Sequence, residues 1–177
     1  LGATEVLSDM ALKNGCVVHW WLLGPVGTRT ELLQGDLVSV DKPIQVAAPV
    51  QVKGQQVSWK QITVTDPLGM VDLQRTLETD GEFGSYLYGE VESDHERDVL
   101  FKIGSNDDVF CWLNGRLVHE YEGGRLWEPD EDKVETHLVK GRNIILMKVL
   151  NAGGEWAGSL RITDSDGRPI LLKQEGE

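Results

Sequence analysis

The chain reads as an all-β protein, an antiparallel β-sandwich of jelly-roll type with about ten strands and little helix. Three observations predict this. Short apolar or alternating runs follow one another with turn residues between them. Sustained helical periodicity is missing beyond the first residues. Asn114-Gly115 stands between two apolar runs, and Asn-Gly is the strongest short-range hairpin signal because a type I′ turn needs positive φ at both central residues. With 177 residues and no internal repeat, low-complexity stretch or break in composition, residues 1–177 read as a single domain. The chain opens on Leu rather than Met, as expected of a module cut from a larger multidomain protein.

Each element has its own signal. Residues 3–14 suit a short helix, with Leu7, Met10 and Ala11 on one side. Residues 16–23 (Cys-Val-Val-His-Trp-Trp-Leu-Leu) form a buried strand that Gly24-Pro25 should stop. Residues 36–40 and 44–52 are weaker strands, interrupted by Pro43 and Pro49 as at an edge or long loop. Residues 57–64 alternate well, and Asp66-Pro67-Leu68-Gly69 makes the next turn. Strands over 85–91 and 99–103 flank a charged turn at 94–98. The hairpin then pairs Leu113 with Arg116, Trp112 with Leu117 and Cys111 with Val118. That register puts Val109, Cys111, Leu113 and Val118 towards the core. Phe110 and Trp112 fall on the opposite face, beneath a loop or open to a ligand. Residues 122–132 are polar and rich in glycine and acid, a long loop. Strands over 133–139, 144–150, 159–163 and 169–172 complete the chain, with turns at 140–143 and Asp166-Gly167.

Composition narrows the function. Seventeen Lys and Arg against 29 Asp and Glu give a net charge of −12, a surface that repels phosphate backbones, so nucleic acid is excluded as a partner. No apolar run approaches membrane-spanning length, so no membrane insertion is expected. Cys16 and Cys111 both lie in apolar runs and read as free buried thiols, although one bridge between adjacent strands stays open. The four histidines (His19, His95, His119 and His137) lack zinc spacing, and no nucleophile elbow, phosphate loop or dinucleotide fingerprint is present. The chain is therefore read as a non-enzyme.

Two groups of residues are candidates for binding. Asp107 and Asp108 sit where the hairpin begins, at one rim of a sheet, and offer hard oxygen ligands for calcium; the alternative is a turn in which a carboxylate accepts backbone N–H groups. Six tryptophans against three phenylalanines is an unusual balance. Trp127 and Trp156 lie in glycine-rich polar loops, where an indole can stack on the C–H face of a sugar ring. Arg125, Glu128, Asn151 and Glu155 stand beside them to bond hydroxyls. Trp156 has a second reading, as a plug at the end of the sandwich.

Residues 105–118 (Ser-Asn-Asp-Asp-Val-Phe-Cys-Trp-Leu-Asn-Gly-Arg-Leu-Val), Asp132-Lys133-Val134, residues 138–143, residues 148–151 and Trp156 follow a recurring pattern. It resembles the galactose-binding-domain-like β-sandwiches, including the sugar-binding jelly rolls of the β-galactosidase and β-glucuronidase glycosidase family. It is also similar to the protective-antigen-type lectin domains. The similarity covers about residues 97–168, with weaker support from residues 19–25. The resemblance implies a jelly roll, a polysaccharide or glycan as partner, and an extracellular, periplasmic or envelope location. In the calcium-dependent members the paired aspartates hold the metal, which would place calcium at Asp107 and Asp108. Val109 departs from the Gly often found next, and a second calcium loop is not evident. The sequence thus predicts a carbohydrate-binding module of a larger secreted or envelope protein. The alternative is a spacer that packs against neighbouring domains of its own chain and has no glycan site.

Overall fold

A computed structural model describes residues 2–176. In chain order the elements are α1 (Ala3–Lys13), β1 (His19–Thr28), α2 (Arg29–Gln34), β2 (Val50–Val52), β3 (Gln55–Val57), β4 (Lys60–Thr63), β5 (Val71–Asp72), α3 (Leu73–Leu77), β6 (Phe83–Ser93), β7 (Arg97–Asn106), β8 (Asp108–Leu113), β9 (Arg116–Tyr121), β10 (Asp132–Leu138), β11 (Gly141–Leu150), β12 (Ala157–Thr163) and β13 (Lys173–Gln174). The larger sheet runs β4-β1-β6-β11-β8-β9, with β13 also pairing β6, and the smaller runs β10-β7-β12-β5. Every strand pair is antiparallel. From β6 to β12 the chain changes sheet at almost every step, the winding expected of a jelly roll.

The main core lies between the sheets. Trp20, Leu22, Leu87, Val109, Cys111 and Met147 of the larger sheet meet Phe101, Ile103, Leu160 and Ile162 of the smaller one. A second apolar cluster covers the other face of the larger sheet: Tyr86, Tyr88, Phe110, Trp112 and Leu146 pack under Leu32, Val38, Val52 and Trp59. Residues 29–59 are therefore a covering layer, which is why β6 and β11 carry nearly continuous apolar runs. Two bonds of Lys148 pin the layer from below. Its ammonium is almost fully buried, donates to Leu32 O and Asp36 Oδ1 at 2.7 Å each, and lies 4.2 Å from the Phe110 ring centroid. Gly84 lets the layer approach, since a Cβ there would stand 2.1 Å from Leu32 Cδ1.

The hairpin forms as its Asn-Gly turn predicts, with Leu113 opposite Arg116 and Trp112 opposite Leu117. A bulge then shifts the register, so Cys111 faces His119 rather than Val118. Trp112 is buried beneath the covering layer. The cysteines are free and buried.

Other elements depart from expectation. Gly24-Pro25 does not stop β1, because register shifts against β6 between Leu23 and Val26 leave the proline outside the regular ladder. Residues 36–49 form no strand; they act as cover. The alternating run 57–64 is divided between β3 and β4. Residues 169–172 make only a bridge from Pro169 to Thr163. The short helix α2 was not foreseen, although Thr28 and Glu31 form its capping box: Thr28 Oγ1 accepts from Glu31 N at 3.3 Å, and Glu31 Oε2 accepts from Thr28 N at 2.8 Å.

Candidate functional site

Where β7 ends, Asn106 and Asp107 carry the chain across from the smaller sheet to β8 of the larger one. Loops 122–131 and 151–156 meet at this end of the sandwich, and the two aspartates hold them there. Asp107 Oδ1 accepts from Arg125 N at 3.1 Å and Oδ2 from Ala152 N at 2.8 Å. Asp108 Oδ1 accepts from Gly123 N at 2.8 Å. Its carboxylate also receives both arms of Arg29, Nε at 2.6 Å and Nη2 at 2.8 Å. The Asp108 side chain is 0% exposed, and its hydrogen bond pushes the Arg29 guanidinium above its ordinary pKa.

A calcium ion at Asp108 would have to displace a guanidinium, while each oxygen of Asp107 has given one of its two lone pairs to a backbone donor. Among the described residues no three His, Cys, Asp or Glu side chains converge as a metal site. The aspartates instead act as the backbone acceptors of the alternative reading, although the N–H groups come from distant loops rather than from an adjacent turn.

The Arg125 guanidinium is also committed inside the protein. It donates to Ser105 Oγ at 3.1 and 2.7 Å and to both oxygens of Asp132 at 3.2 and 2.6 Å, and it lies 3.8 Å from the Tyr121 ring centroid. Burial works against the charge on Asp132, yet the hydrogen bonds from Arg125 and His119 hold its carboxyl below the usual range.

Of the six residues expected to bind a glycan, the structure brings two together. Arg125 and Glu155 line a shallow cleft of about 470 Å³, with Asn106, Asp107, Leu126 and Gly153. Trp156 is only 1% exposed and belongs to the main core, so its ring is the plug and offers no stacking face. Asn151 is fully buried; its amide donates to Gly81 O at 3.0 Å and its carbonyl accepts from Gly153 N at 3.2 Å, which shapes the loop. Trp127 leaves the cleft as well. Its ring packs over Gly104 of β7, where a Cβ would stand 2.8 Å from Nε1, and Nε1 donates to Ser159 Oγ at 2.9 Å. Glu128 follows it, its backbone oxygen against Gly104 and its side chain exposed. Asp130 anchors the same loop through Arg161 Nε at 2.9 Å.

Two residues of the cleft were missed. Leu126 is 70% exposed beside it; a single apolar residue in a polar loop gave no signal. Asn106 is 4% exposed and lines the cleft, yet among the described residues its carboxamide has no hydrogen bond within the protein. Among the described residues the sealed side-chain atoms without a partner are Arg97 Nε and Trp156 Nε1, so the unbonded Asn106 carboxamide meets the solvent of the cleft.

No protein-family model and no curated protein matches the chain. Solved structures resemble it at low identity. The PA14 domain of an antifreeze protein is 16% identical over 54% of this chain and 55% of its own, with a TM-score of 0.40. A PA14 sugar-binding domain from an RTX adhesin is 23% identical over 56% of this chain and 52% of its own, with a TM-score of 0.36. A β-glucuronidase from an uncultured Clostridium species is 12% identical over 85% of this chain, with a TM-score of 0.49; the chain spans 29% of that enzyme.

Proposed function

We propose that this protein is a non-catalytic carbohydrate-binding module whose site is the cleft between loops 122–131 and 151–156. The observation that carries the reading is the cleft's chemistry. A deeply placed carboxamide without a partner, a free carboxylate on exposed Glu155 and the apolar Leu126 surround one shallow depression. Hydroxyl-rich ligands with apolar C–H faces need that mixture, and the tied carboxylates and guanidinium hold the walls in place beforehand. No described helix is long and apolar enough to cross a membrane. An extracellular or envelope setting, with the module tethered to a larger protein, belongs to the same proposal, because a small cleft binds weakly and tethering raises its effective concentration.

Affinity electrophoresis through a panel of polysaccharides tests it. The protein should be retarded by at least one, and Leu126→Asp, a change at an exposed position, should abolish the retardation. Free migration in every gel would sink the proposal, and release of soluble product would make the protein an enzyme.

A second reading, a module that packs against neighbouring domains, is favoured by a different place. A groove of about 810 Å³ runs between the hairpin and β10, with Leu117 42% exposed along it. Charged substitution at Leu117 should leave glycan retention unchanged if the first reading holds.

A further inference from the structure

We infer that the cleft selects an uncharged sugar through two adjacent hydroxyls read by the Asn106 carboxamide, without a bridging metal. This rests on the sugar-binding reading of the same cleft and names its ligand class. Most polar groups of the cleft are already bonded within the protein. Both oxygens of Asp107 accept backbone N–H groups. The Arg125 guanidinium is spent on Ser105 and Asp132. Asn151, next to the cleft, is bound up with Gly81 and Gly153. Among the described side chains of the cleft, Asn106 alone keeps an unbonded donor for a ligand, while Glu155 and the remaining lone pairs of Asp107 can only accept.

Their chemistry is specific. A carboxamide presents a donor and an acceptor side by side in one plane. Neighbouring hydroxyls on a sugar ring match it, one accepting from Nδ2 and the other donating to Oδ1. Glu155 can only accept while ionised, so it takes a further hydroxyl proton. Leu126 supplies the surface for the ring's C–H face. A uronate or sulfated sugar would bring its anion towards Asp107 and Glu155 with no uncommitted cation in the cleft lining. A calcium bridge at Asp108 would have to displace Arg29, which already holds that carboxylate through two bonds.

Two measurements test this on the whole chain. The first compares retardation by neutral galactan, glucan, mannan and xylan with that by acidic polygalacturonate, each with calcium and with excess EDTA. Retention on a neutral polymer, none on polygalacturonate and no change with EDTA is expected. Preference for polygalacturonate, or loss of retention with EDTA, overturns the inference. The second measures Asn106→Ala and Asn106→Asp on the polymer that binds. Affinity should fall at least tenfold in both. The melting temperature should stay near that of the unaltered protein for Asn106→Ala, since the Asn106 side chain makes no internal bond. It should drop for Asn106→Asp, which buries a charge beside Asp107. Unchanged affinity in both variants overturns the role of Asn106 and leaves the module reading standing. Failure of the unaltered protein to bind any polymer removes both.

Discussion

Replacing Arg29 with Met leaves the Asp108 carboxylate inside the protein without its cation. The two side chains are joined by bonds of 2.6 and 2.8 Å, and Asp108 is 0% exposed while Arg29 is 27% exposed. Breaking a buried pair from one side costs about 3–5 kcal/mol, because a desolvated charge stays behind. Gly123 N still bonds the carboxylate and water can enter along the half-open path of Arg29, so the expected loss lies near the lower end, about 3 kcal/mol. For a chain of this length that lowers the melting midpoint by roughly 6–12 °C. Differential scanning fluorimetry gives the shift and urea titration the free energy. Combining Arg29→Met with Asp108→Asn removes the stranded charge as well, so the double variant should be more stable than Arg29→Met alone. A single variant that melts with the unaltered protein, or a double variant with strictly additive losses, would refute the account of Asp108 as a buried charge that depends on Arg29.

The other expectations concern charge, metal and thiols. The Arg161 hydrogen bond holds the Asp130 carboxyl below its ordinary value, so its contribution is present above about pH 4 and is lost as pH falls through the depressed folded value. Arg161→Gln should therefore flatten the acid limb of a stability–pH curve between about pH 4 and 2; curves that stay parallel would contradict this. Calcium and EDTA should give the same melting temperature, and a saturable rise with calcium would show a site that the donor pattern does not provide. Burial pushes the Cys16 thiol up to about 11 and the Cys111 thiol up to about 12, so iodoacetamide at mildly alkaline pH should label neither until the protein unfolds. Rapid labelling of the native protein would count against both positions.

The fold was legible where local chemistry dictates it. Asn114-Gly115 fixed a hairpin, alternation across Phe110 and Trp112 assigned them to the face away from the main core, and the Gly-rich stretches marked the loops that gather at one end. The covering layer was not legible. Residues 36–49 have no periodicity of their own, and they are held by Lys148, Tyr86 and the aromatic face beneath them, partners far away in sequence. The same limit applied to the site. Asp108 and Arg29 are 79 residues apart, so nothing local told a metal ligand from an ion pair. Trp156 sits in a glycine-rich loop like a binding residue, and only its 1% exposure shows that it plugs the sandwich. Asn106 drew no separate reading from the sequence, because the absence of a bonding partner is a property of three-dimensional neighbours and leaves no mark on composition or spacing.

The covering layer also limits the length of ligand the module can engage. A sheet with one open face can lay a polysaccharide along its strands and touch many sugars in a row. Here the larger sheet is an inner slab, its broad aromatic side sealed by residues 29–59. What stays open for the proposed ligand is a shallow cleft of about 470 Å³ at the end of the sandwich. On the proposed reading, a cleft of that size engages a short stretch of glycan at a time, so the number of tethered contacts rather than the length of any one chain sets how firmly the module holds.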